Sequence, residues 1–120
     1  MEPRGPEVAR IAPIAKGMGQ STDASSAEKC EVETCGVDFK QAGIRRHVDH
    51  IVPARLIQRL NAGNPDRREN LQCICGTCHG YKLRADHKLC LGDKLAYLEI
   101  LRTHNFDLGR VERAMTLYGL

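Results

Sequence analysis

Tryptophan is absent and aromatics are few, with two Phe and three Tyr in 120 residues. A chain so poor in large apolar side chains builds a modest core. Small cores often depend on a metal ion or on disulfides. No stretch is long and apolar enough to span a bilayer, and no N-terminal apolar run resembles an export signal. These absences point away from the membrane and towards a cytoplasmic setting. They also bear on the six cysteines. Without an export signal, thiols are expected as metal ligands rather than as disulfides. No internal repeat is visible, and the length suits one small domain.

Acidic residues are scarce in the middle of the chain. Between Lys40 and Lys88 there are ten Lys or Arg against four Asp or Glu, although the net charge of the whole chain is only +3. A local basic patch suits a polyanion such as nucleic acid. The plainer alternative is a solvated face. What favours nucleic acid is that the patch overlaps a cluster of Cys, His and Asp. Arg45, Arg46, Arg67 and Arg68 form two doublets that could neutralise adjacent phosphates, and Lys82 is a further candidate.

Three regions are expected along the chain. Residues 1–27 hold three of the five prolines and a Gly/Ser-rich run, and read as a flexible N-terminal arm. Residues 28–90 carry all the motifs. Residues 91–120 read as a helical extension that packs on the core. Within the middle region, 44–52 is β-prone and Pro53 ends it. A short helix is expected over 54–62 with Leu56, Ile57 and Leu60 on one side, a strand over 71–74 and a helix over 76–85. Two further helices are expected near 91–104 and 107–117, the first with a stripe of Leu91, Leu95, Leu98 and Leu101. The fold class is α+β.

Cys30 and Cys35 form one pair, and Cys75 and Cys78 another. Two such knuckles suit a closed tetrahedral zinc site, because thiolates are soft, charged and compact. Zinc binding is worth about 10–16 kcal/mol in small peptides, enough to decide whether a short chain folds. Gly36 allows the first knuckle to bend. Cys73 and Cys90 read as small buried hydrophobes. The alternative is that one of them replaces a member of the four.

Cys75 and Cys78, three residues apart, share a helix face. His79 lies about 100° around the helix from Cys78, at ~3.6 residues per turn. A single ion cannot readily use all three, so two sites are expected. Asp49 is a hard ligand for a divalent cation, and His50 has the near-neutral basicity needed to deprotonate water. His47 is expected to be a surface or groove residue. His87 and His104 have no partners at ligand spacing.

Val48-Asp49-His50-Ile51-Val52-Pro53, then Glu69-Asn70-Leu71-Gln72, then Cys75-Gly76-Thr77-Cys78-His79-Gly80-Tyr81-Lys82, together resemble the HNH endonuclease family. The resemblance covers about residues 30–82. It implies a ββα-metal (His-Me finger) core, stapled here by a four-cysteine zinc site. It implies that His50 activates water, that Asp49 and His79 hold a catalytic divalent cation such as Mg2+, Mn2+ or Ni2+, and that Asn70 braces the loop carrying His50. The implied substrate is double-stranded DNA, in a bacterial cell or a phage-infected host. A homodimer or a larger phage or restriction assembly is a possible context. The five-residue step from Cys30 to Cys35 departs from the commoner three-residue step, and Cys73 stands where proline is frequent. A non-catalytic zinc-stabilised nucleic-acid-binding module is the alternative. It would account for the cysteines and the basic patch but not for Asp49, His50, Asn70 and His79 in this order.

Overall fold

The computed structural model describes residues 27–120. The arm expected over 1–27 therefore lies outside the described residues, apart from Ala27. The order of elements is α1 (Phe39–Ala42), β1 (His47–His50), α2 (Ala54–Leu60), a single 3-10 turn (Arg68–Asn70), β2 (Leu71–Ile74), α3 (Gly76–Cys90), α4 (Lys94–Thr103) and α5 (Leu108–Leu117). The two strands form an antiparallel ladder with His47 opposite Ile74 and His50 opposite Leu71. With α3 following β2 directly, this is a ββα unit in an α+β fold.

The first knuckle is held by backbone geometry. Cys35 N–H donates to Val32 O at 3.0 Å, and Gly36 takes φ +59°, a left-handed conformation that costs glycine little. Asp38 then caps α1 by accepting from Gln41 N–H. The knuckle docks on the edge of β2 that β1 leaves free. Glu31 N–H donates to Cys73 O at 2.9 Å, and the Glu31 carboxylate accepts from Cys73 N–H at 2.7 Å. Arg110 of α5 donates to Leu71 O one step along the same edge. Every residue of β2 is buried.

Several expectations need correction. The first strand covers only His47–His50, because Gly43 ends α1 in a left-handed turn and Ile44 N–H folds back onto Phe39 O. In α2, Leu56 and Ile57 are buried but Leu60 is 49 % exposed. Helix α3 runs five residues further than expected. Its buried stripe is Cys78, Lys82, Ala85, Asp86 and Leu89, so two charged residues lie on the inward face. Leu91 and Leu95 do not belong to a core stripe, being 67 % and 81 % exposed. Helix α4 starts later, after the Asp93 cap; Leu101 faces inward as expected, and Tyr97 is buried beside it. The final helix buries Val111, Ala114 and Met115. Helix α4 packs along α3, and α5 packs on the 3-10 turn and on α4. Among the described residues no helix is long and apolar enough to cross a membrane.

Candidate metal centre and hydrolytic site

The knuckle and the start of α3 bring Cys30, Cys35, Cys75 and Cys78 together, with their ligand atoms all within 4.8 Å of one another. Sulfurs bound at ~2.3 Å around a tetrahedral centre stand ~3.8 Å apart. The Cys35 and Cys75 sulfurs are 3.8 Å apart. Three of the four are buried, and Cys35 lies at the surface. Cys75 N–H points at the Cys30 sulfur at 3.4 Å, a contact that favours thiolate. Burial pushes the Cys30 and Cys78 thiols up, and adjacent thiols push Cys78 further. Burial also opposes ionisation of Cys75, but hydrogen bonds from the Cys78 backbone and the neighbouring thiols bring it below the usual range. Four thiols this close cannot all carry charge unaided. A divalent cation at their centre removes that conflict, so the donor set fits a metal. Cys73 is fully buried outside this group, with its thiol pushed up to about 11 by burial and then by Glu31.

The second cluster lies on β1 and the flank of α3. Alternation along β1 puts His47 and Asp49 on one face. The His47 ring stacks on His79, with centroids 4.7 Å apart and planes 18° apart. Burial lowers the His47 pKa, His79 and Arg45 lower it further, and Asp49 acts in the opposite direction. His47, Asp49 and His79 thus share one neighbourhood. Among the described residues they do not form a three-ligand group as tight as the four cysteines.

Asp49 is buried. Its Oδ2 accepts from Gln72 Nε2 at 2.9 Å and pairs with Lys82 Nζ at 3.2 Å. Lys82 Nζ also donates to Asp86 Oδ1 at 2.5 Å and to His50 O at 2.8 Å. The expectation that Lys82 meets a backbone phosphate is therefore wrong. Its side chain is fully buried and its ammonium is enclosed by two carboxylates and a carbonyl. Burial alone would favour neutral lysine, but Asp49 and then Asp86 outweigh it and hold the ammonium charged.

His50 ends the strand with its side chain 32 % exposed, and its Nε2 lies 2.7 Å from Asp66 Oδ1. A carboxylate accepts, so in the neutral ring this contact favours the tautomer with the proton on Nε2 and with Nδ1 unprotonated. The segment after His50 is gripped residue by residue. Lys82 holds His50 O, Tyr97 Oη donates to Ile51 O at 2.8 Å, and Asn70 holds Val52. Fully buried Asn70 accepts from Val52 N–H at 2.7 Å and donates to Val52 O at 3.0 Å and Pro65 O at 2.9 Å.

Arg45, Arg46, Arg67 and Arg68 are all exposed. Arg46 donates to Ala27 O, and Arg67 lies 3.8 Å from Glu69. His104 stacks on Tyr81, which Arg84 also covers. Sequence reasoning missed Asp66, Gln72, Asp86 and Tyr97. The four-residue step from Lys82 to Asp86 is a readable ion-pair spacing. Gln72 follows once the strand register is known, since it stands opposite Asp49. Asp66 and Tyr97 reach the site only through tertiary packing.

The model of the HNH endonuclease family matches residues 30–84, which span both clusters. That stretch is similar to an HNH endonuclease domain. No curated protein and no solved structure matches the chain.

Proposed function

We propose that this protein is a metal-dependent HNH endonuclease that hydrolyses phosphodiester bonds in DNA. The observation that carries the reading is the pairing of two neighbours on β1. Asp49 is buried and pinned through one oxygen, while His50 is accessible and oriented by Asp66. A module that only binds nucleic acid has no need of either arrangement. The match to the HNH family over residues 30–84 supports the reading, because nuclease activity is the general property of that family.

In this reading the four cysteines hold zinc, which suits four soft thiolates and a closed tetrahedral site. Asp49 and His79 hold a second divalent cation, Mg2+, Mn2+ or Ni2+. That cation supplies charge stabilisation at the phosphate and at the leaving oxygen. His50 Nδ1 takes a proton from water as the water oxygen attacks phosphorus. The bond from phosphorus to the leaving oxygen breaks, and that oxygen takes up a proton from solvent. Asp66 stabilises the imidazolium that forms. Asn70 keeps the Val52 peptide, two residues beyond His50, in place. Arg45, Arg46, Arg67 and Arg68 contact backbone phosphates.

A supercoiled-plasmid assay tests this. Relaxed or linear product is expected with Mg2+, Mn2+ or Ni2+ and none with EDTA. DNA binding without cleavage under every metal condition would show a binding module instead.

A further inference from the structure

Lys82 and Asp86 are buried charges that the hydrolytic step does not itself use. Lys82 is fully buried and Asp86 is 5 % exposed. Burying charges is costly unless they are paired, so their arrangement is informative. Lys82 is the centre of the cluster, with Asp49 on one side and Asp86 on the other. Two carboxyl groups thus share one ammonium. Asp86 also lies beyond residue 84, outside the stretch matched to the family.

The contacts on Asp49 are one-sided. Gln72 and Lys82 both reach Oδ2, and among the described residues no hydrogen bond reaches Oδ1. A carboxylate held in this way has one oxygen to offer. Mg2+ and Mn2+ favour six-fold coordination and take a carboxylate readily through a single oxygen, whereas Ca2+ accepts bidentate carboxylates and higher coordination numbers.

We infer that Lys82, steadied by Asp86 and assisted by Gln72, is a positioning residue that restricts Asp49 to one ligand oxygen and so selects a small octahedral cation over Ca2+. The inference rests on the proposed role of Asp49 as a cation ligand. Asp86 has a definite part in it. Without that second carboxylate the ammonium would shift fully onto Asp49 and compete with the cation. Without Lys82 or Gln72, Oδ2 would be released and both oxygens could reach one ion.

The test is Mn2+ binding to the zinc-loaded full chain, read from the electron paramagnetic resonance signal of free Mn2+, with Ca2+ as competitor. The wild type should bind Mn2+ and release it only at a large excess of Ca2+. Lys82→Met should lower the Ca2+ excess needed for release by about ten-fold or more. Gln72→Ala should shift it in the same direction, and it decides the matter if Lys82→Met does not fold. Asp86→Asn should weaken Mn2+ binding while zinc content and circular dichroism stay at wild-type levels. A merely structural role would lower melting temperatures and leave the ratio of Ca2+ to Mn2+ affinity unmoved in the folded variants. That unchanged ratio, together with loss of Mn2+ binding in Asp49→Asn, overturns the inference and leaves the cation site standing. Wild-type Mn2+ binding in Asp49→Asn overturns the cation site itself.

Discussion

Replacing Asn70 with alanine should destabilise the whole fold as well as disturb the site. The side chain is fully buried and has both of its polar atoms occupied. Two of its partners, Val52 N–H and Val52 O, lie in buried hydrogen bonds, while Pro65 O lies in a part-buried one that water can replace. Each buried polar group left without a partner costs roughly 1–3 kcal/mol. The two Val52 groups together give ~2–6 kcal/mol, before any cavity contribution. For a domain of this size each kcal/mol moves the melting midpoint by ~4–8 °C, so a drop of at least ~8 °C is expected. Asn70→Asp is the informative companion. The carboxylate can still accept from Val52 N–H, but its second oxygen would face Val52 O and Pro65 O with nothing to donate. At neutral pH it should be at least as costly as alanine. Urea unfolding followed by circular dichroism, with zinc in excess, gives both values. A loss under ~1 kcal/mol for Asn70→Ala would refute the reasoning, since it would mean that Val52 does not depend on this side chain.

Three further outcomes follow from the same contacts. Cys78→Ser should bring zinc content, measured by plasma mass spectrometry, well below one per chain and abolish the folded circular dichroism spectrum; a zinc-free variant with a native melt would contradict the structural role of the four thiols. Brief iodoacetamide treatment of the zinc-loaded protein near pH 8 should modify Cys90 alone, because the four ligands are engaged and Cys73 is buried with its thiol pushed up to about 11. Peptide mass spectrometry reads this directly, and early labelling of Cys73 would show that β2 opens readily. Tyr97→Phe leaves Ile51 O without its donor in a buried setting, so a loss of ~1–3 kcal/mol is expected with zinc binding intact; an unchanged urea midpoint would count against a role for α4 in holding this segment.

The metal centre was the most legible part of the chain. Its four ligands are of one chemical type, in two short pairs, and the fold has only to bring the pairs together. Strand β2 was legible to the residue, because Leu71–Ile74 is short, apolar apart from Gln72, and followed at once by the Cys75 turn. Helix α4 was misread for a physical reason. Leucine spacing suggested a stripe through Leu91 and Leu95, but Gly92 takes a left-handed turn and Asp93 caps the helix only after it. The buried face is then set by Tyr97, whose hydroxyl reaches back to Ile51. Lys82 was misread because a lysine beside a metal motif looks like a phosphate contact. Its burial depends on Asp49 arriving from β1 as well as on Asp86 one helical turn away. The contact between His50 and Asp66 was illegible altogether, since Asp66 comes from a loop with no sequence signal linking the two.

The central claim is that His50 is the base of a hydrolytic site rather than a surface residue of a binding module. Its most direct test is His50→Ala in the plasmid assay with Mn2+, alongside zinc content, circular dichroism and a DNA-binding measurement. Cleavage should disappear while zinc, fold and DNA binding remain close to wild type. Full cleavage by a folded, zinc-loaded His50→Ala protein would contradict the account.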